Sequence, residues 1–246
     1  MNATKLQDHM AGTYFTLRRG MVAIAFAFPV LVAIGGTIAF NTGILGSLSA
    51  YYYTGMRDLF VGLLVAIGAC LFLYKGFSIS ENRALNLAGI FVVVVAMRPT
   101  EENCGDNCTP ITIHRVAAVL FFLCIAYVAI FKGPETLKLL PEKSRKKYRR
   151  TYKSLGTLMI LSPGVALISS LVLQVSTGKK LVVVLAEWFA VWIFATYWLF
   201  KSRELATTAA EKRALDRELE TVPASNKPVP GRLKEVFSTN TVQEAT

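Results

Sequence analysis

GMVAIAFAFPVLVAIGGTIAF, residues 20–40, decides the fold. It carries no charged residue over its whole length, and roughly 20 such residues in helical form cross the ~30 Å apolar core of a bilayer. Pro29 and the pair Gly35-Gly36 lie inside it. In a membrane helix proline is tolerated where neighbours re-satisfy the freed carbonyl, and paired glycines allow close helix approach, so these residues read as packing features. The run starts late and is long enough to span, which marks it as an uncleaved first helix and not as a signal peptide.

Five further apolar runs follow: Leu59 to Leu73, Leu85 to Met97, Ile111 to Phe131, Leu155 to Val175 and Leu181 to Phe200. The second and third spans are short as pure apolar runs and must extend over polar flanks, from Arg57 to Tyr74 and from Asn82 to Arg98, to cross. With 53% hydrophobic and only 17% charged residues among 246, the composition agrees with one polytopic domain. The expectation is an all-α membrane protein with six transmembrane helices. Residues 1–19 form a cytoplasmic lead, 20–201 the helical domain, and 202–246 a charged helix and flexible tail.

Lysine and arginine near span ends resist translocation and so set orientation. Arg18 and Arg19 precede the first span, Lys75 and Arg83 separate the second and third, and Lys201 and Arg203 follow the sixth. Between the fourth and fifth, Lys132 to Lys153 holds nine basic residues against two glutamates. Both termini are therefore expected in the cytoplasm and the chain in the plasma (inner) membrane, with Lys179 and Lys180 a modest violation. The net charge of +11 is then mostly topological, and a nucleic-acid partner is not expected, because the basic residues flank apolar spans. Arg145, Lys146, Lys147, Arg149 and Arg150 form a juxtamembrane cluster suited to anionic lipid, each residue contributing about 1 kcal/mol near such a leaflet. A positive-inside retention signal is the plainer reading of the same residues.

Between the first two spans lies Ser47-Leu-Ser-Ala-Tyr-Tyr-Tyr-Thr-Gly-Met-Arg57-Asp58. Tyrosine suits a membrane interface. Successive helical residues turn by about 100°, so Tyr51, Tyr52 and Tyr53 must meet different surroundings, at least one of them facing the bundle or the loop cap. The loop after span three holds Cys104 and Cys108 around a turn-prone Gly-Asp-Asn. On the oxidising side of a membrane these read as a disulfide, ahead of a metal set with His114 and Asp106 or Glu101 that matches no familiar zinc spacing. Cys70 and Cys124 lie in apolar spans and read as inert.

Span six contains Glu187, the carboxylate deepest within an apolar run. A buried intramembrane acid faces the bundle, paired or protonated. Arg57, Arg98, His114 and Arg115 are the candidate partners, and a pair that only locks the bundle is the competing reading. Tyr53, Arg57, Asp58, Arg98, His114 and Glu187 all belong near the outer ends of the spans, while the cytoplasmic ends collect mainly lysine and arginine. That asymmetry predicts an outward-facing polar pocket that binds, senses or transports a lipid head group or small polar solute, with membrane lipids and a second copy or membrane partner as associates.

Catalytic parts are sparse. Only His114 is placed to serve an intramembrane metal, so a three-histidine zinc site is excluded by count and no cofactor or metal is expected. A serine hydrolase set of Ser47 or Ser49, His114 and Asp58 is the enzymatic alternative, and a non-catalytic scaffold using the basic cluster and tail is the third. No phosphate-cradling glycine loop or nucleophile elbow is present.

Ser47 and Ser49 before span two, Asn86 and Gly89 in span three, and His114 with Ala117 and Ala118 opening span four occur in an order that resembles six-span DRAM/FRAG-type membrane proteins and a related bacterial domain of unknown function. The resemblance covers about residues 20 to 201 and implies a lipid-linked or membrane-organising role without established enzymology. The Tyr51-Tyr52-Tyr53 run, Arg57-Asp58 and the Cys104/Cys108 loop depart from it.

Overall fold

A computed structural model describes the backbone of residues 3–99, 112–172 and 177–211, and the side chains of 8–99, 112–165 and 181–211. Its six α-helices are α1 (Ala3–Phe40), α2 (Arg57–Leu73), α3 (Ile79–Met97), α4 (Ile113–Tyr127), α5 (Glu142–Val172) and α6 (Thr177–Thr208), with no strand among the described residues. Each helix packs on the next in chain order and α6 returns to α1, so the six close into a ring. The short α2–α3 connection, residues 74–78, makes those two helices antiparallel. The end carrying the α1–α2 connection is the upper end below; the α2–α3 turn marks the lower end.

Periodicity builds the ring. On α2, Phe60, Leu64, Ile67 and Leu71 recur at helical spacing and are buried, while Phe72 and Leu73 look outward. Ile34 and Ile38 on α1, Leu123 on α4 and Leu185 and Phe189 on α6 also point outward, leaving the outside of the ring apolar. Such a surface is stable in a bilayer and is a liability in water. Among the described residues, four helices are long and apolar enough to cross a membrane: Asp8–Phe40, Ile79–Met97, Ile113–Leu139 and Leu181–Thr208. At 17 residues α2 rises only about 25 Å. Where α2 crosses α3, glycines bring the backbones together: a Cβ on Gly68 would lie 2.9 Å from the Gly89 carbonyl oxygen, and one on Gly89 2.7 Å from that of Gly68.

The helix starts have local causes. Ser78 caps α3 by accepting from the Glu81 N–H, and Glu81 Oε2 accepts from the Phe77 N–H at 2.7 Å, a reciprocal capping box. Thr112 caps α4 by accepting from the Arg115 N–H. After α4 the chain widens into a π turn, Val128–Lys132, then tightens into a 3-10 turn, Gly133–Leu139.

Two boundaries differ from the sequence reading. The basic stretch before span five is not a loop: α5 begins at Glu142, because lysine and arginine are good helix formers. Tyr148 and Tyr152, four apart, turn toward the bundle and leave Arg145, Lys146, Lys147, Arg149 and Arg150 exposed. Nor does a new segment begin at residue 202, since α6 continues unbroken to Thr208 with Ser202, Glu204 and Leu205 buried. Cys104, Cys108 and the tail beyond residue 211 lie outside the described residues.

Candidate functional site

The three tyrosines after α1 have three fates. Tyr51 is fully buried; its hydroxyl donates to the Gly43 carbonyl at 3.2 Å and accepts from the Leu45 N–H at 3.1 Å, pinning the connection. Its ring seats on Gly36, where a Cβ would come within 2.9 Å. Tyr52 accepts a hydrogen bond from Arg57 at 2.9 Å, with the guanidinium 4.6 Å from the ring centre. Tyr53 is exposed.

The pinned connection, a 3-10 turn over Ser49–Tyr53, roofs a cavity of roughly 190 Å³. Its polar lining is Ser47, Ser49, His114, Arg115 and Glu187; its apolar floor includes Phe28, Phe60, Leu64, Val92 and Phe121. Glu187 reaches it from α6 and accepts the Leu48 backbone N–H on Oε2 at 2.6 Å. Oε1 has no hydrogen-bond partner among the described residues. His114, in the first turn of α4, directs Nδ1 at the carbonyl oxygens of Val95 (3.1 Å) and Arg98 (2.9 Å). Two carbonyl acceptors place the proton on Nδ1, so Nε2 of the neutral ring is left as an acceptor. Those carbonyls belong to the last turn of α3, which lacks intrahelical donors.

The six residues expected to wall one pocket therefore divide. His114 and Glu187 line the cavity, whereas Tyr53, Arg57 and Asp58 are exposed outside its lining. The cause is helical phase: Met56, Phe60 and Leu64 take the inward positions on and before α2, so residues 57 and 58 face away. Arg98 contributes its carbonyl, and its side chain is exposed. No salt bridge joins Glu187 to its candidate partners among the described residues; a backbone N–H bonds it, and the Arg115 charge lies close enough to act on it. The hydrolase set loses its acid with Asp58, and Ser47 bonds to Ser49 (3.0 Å) and to the Ala50 N–H (3.2 Å).

A second polar cluster, unforeseen in the sequence, fills the lower end. Lys201 is 1% exposed and its ammonium donates to the Gly133 carbonyl (3.2 Å), Thr136 Oγ1 (2.6 Å) and Glu204 Oε2 (2.8 Å). The Tyr152 hydroxyl donates to the same Glu204 oxygen at 3.0 Å. Burial, followed by the Glu204 charge, pushes the Tyr152 hydroxyl above the ordinary tyrosine range and keeps it protonated as a donor. Arg18, buried on α1, pairs with Glu211 and lies 5.7 Å from the Tyr74 ring centre. Arg18 Nε, Tyr197 OH, Trp198 Nε1, Ser202 Oγ and Glu204 Oε1 are buried without a hydrogen-bond partner among the described residues.

One signal pointed here. Ala190, Phe194, Tyr197, Lys201, Glu204 and Thr208 continue one helical stripe, so the charges of α6 sit in register with its core residues.

No group of three or more metal-ligating side chains occurs among the described residues. No family model, curated protein or solved structure matches the chain.

Proposed function

We propose that the chain is a six-span membrane protein, both termini cytoplasmic, whose upper cavity opens to the exterior and binds the polar end of an amphiphile, a lipid head group or a small zwitterion. The observation that carries this reading is the convergence of Glu187 and His114 on one cavity from different helices, each with one polar atom anchored on backbone and another without a partner among the described residues. An acceptor pair suits an ammonium or hydroxyl, Arg115 beside them suits a phosphate or carboxylate, and the aromatic floor suits the apolar part. Size restricts the ligand: roughly 190 Å³ is below the roughly 300–1,000 Å³ of pockets that enclose drug-sized molecules. A head group fits; a whole lipid does not. The plasma membrane is the location this orientation implies, and the exposed basic face of α5 would then rest on the anionic inner leaflet.

The test is native mass spectrometry of the purified full chain after reconstitution with phosphatidylethanolamine, phosphatidylcholine or phosphatidylglycerol, beside Glu187→Gln and His114→Asn. The reading expects retention of a zwitterionic lipid, lowered at least about tenfold in both variants, a loss equivalent to ~1.4 kcal/mol. Equal retention by wild type and both folded variants removes it.

A further inference from the structure

We propose that the lower end of the ring is a proton-binding site whose acid is Glu81. The site is separate from the upper cavity and its ligand is the proton alone.

Charge pairing singles out this acid. The cluster holds three carboxyls, Glu81, Glu204 and Glu211, and two buried cations, Arg18 and Lys201. Arg18 forks both terminal nitrogens onto Glu211. Lys201 has three hydrogens, and its contacts to Gly133, Thr136 and Glu204 use all three. Glu81 is left without an ion pair among the described residues, 2% exposed, its carboxyl accepting from the Phe77 N–H with the Ser78 N–H beside it. A buried carboxylate so placed loses hydration worth several kcal/mol with only the through-space charge of Lys201, itself bonded elsewhere, in exchange, and one proton removes that cost.

The groups around Glu81 come from every neighbouring element. They are Arg18 from α1, Tyr74 at the end of α2, Lys132 and Glu135 from the π and 3-10 turns, Tyr152 from α5, and Tyr197, Lys201 and Glu204 from α6. Lys132 is committed to Glu135 at 2.8 Å. Tyr197 is the independent sign that the cluster is built to change state: it is 0% exposed and its hydroxyl has no hydrogen-bond partner among the described residues, while Tyr74, 1% exposed, has Arg18 against it. Neither hydroxyl bonds Glu81 in this arrangement; after a local rearrangement a hydroxyl can accept from the protonated acid or, on rotating, donate to the carboxylate. The balance is simple. Water supplies a proton to a Glu81 oxygen on uptake and takes it back on release, with no other reactant. Buried acids in and beside membrane helices mark proton relays.

The full chain, reconstituted in phosphatidylcholine vesicles, would be followed by pH-difference infrared spectroscopy in H2O and D2O. The proposal expects a protonated-carboxyl C=O band, shifted by deuteration, that is lost as pH rises while carboxylate bands grow. Glu81→Gln should lack this band and Glu187→Gln should retain it; the glutamine carbonyl still accepts from the Phe77 N–H, so the α3 cap is preserved. A Glu81→Gln spectrum with every wild-type carboxyl band, or loss of the band in Glu187→Gln alone, overturns the proposal. A second readout leaves Glu81 in place. Trp198, whose Nε1 lies unpartnered in the cluster, should shift its emission with pH in a Trp188→Phe/Trp192→Phe chain. A flat profile overturns the proposal as well.

Discussion

Glu187 holds the Leu48 backbone N–H at 2.6 Å across 139 residues of sequence, tying the roof of the upper cavity to α6. The two replacements of Glu187 should separate. Gln keeps a carbonyl oxygen to accept from Leu48 and should cost well under 1 kcal/mol. Ala strands a part-buried N–H, a loss of about 1–3 kcal/mol. Thermal unfolding in detergent measures the difference, and hydrogen exchange at Leu48 should accelerate in Glu187→Ala alone. Equal stability of the two variants would show that the bond does not hold the roof.

His114 does two jobs with two nitrogens, so one substitution can remove one of them. Asn places an N–H near the position of Nδ1 and can still donate to the Val95 and Arg98 carbonyls, but it has nothing at the position of Nε2. His114→Asn should keep the unfolding temperature close to wild type and lose ligand retention; His114→Ala should lose both. A destabilised His114→Asn that binds normally would reverse the assignment of roles.

Much of this architecture was legible because a bilayer demands runs of about 20 apolar residues, and such runs stand out in composition. The rotation of 100° per residue already separated the environments of Tyr51 and Tyr53. The same rule, applied from Met56, Phe60 and Leu64, turns Arg57 and Asp58 outward; attention to their charge hid their phase. Arg18 and Lys201 were read as topological charges because basic residues near span ends usually are. Their burial depends on α6 closing the ring against α1 and on the π and 3-10 turns bringing Gly133 and Thr136 beneath α6, neither of which leaves a pattern in sequence. Leu48 was invisible for another reason, since its backbone N–H binds Glu187 and any residue but proline supplies one.

The α2–α3 crossing offers a prediction with an internal control. A methyl on Gly89 would approach the Gly68 carbonyl oxygen to 2.7 Å, against backbone that has no rotamer to change. Gly89→Ala should therefore destabilise by roughly 1–3 kcal/mol through forced separation of the helices. Gly62, on the same helix α2, has nothing within 4 Å of its would-be Cβ. There alanine should be neutral or stabilising by up to about 1 kcal/mol from helix propensity. Unfolding temperatures of the two single variants, measured in one detergent, test the contrast; similar shifts in both would mean the crossing is looser than its geometry.

Lys201 and Glu204 permit the sharpest energetic test, because a buried ion pair differs in kind from its halves. Lys201→Met removes the ammonium and leaves Glu204, 0% exposed, with Tyr152 as its remaining hydrogen-bond donor. Breaking one half of such a pair costs about 3–5 kcal/mol. Glu204→Gln in the wild-type background leaves the ammonium with the Gly133 and Thr136 oxygens and a neutral amide, and should cost less. The double variant Lys201→Met/Glu204→Gln carries no buried charge at either position, and the glutamine carbonyl can still accept from Tyr152. It should recover most of the stability lost in Lys201→Met, to within about 1–2 kcal/mol of wild type. A coupling energy of at least about 2 kcal/mol in the double-mutant cycle is the expected result. Strict additivity would mean that Glu204 does not need Lys201, and that the charge pairing which leaves Glu81 without a cation is drawn wrongly.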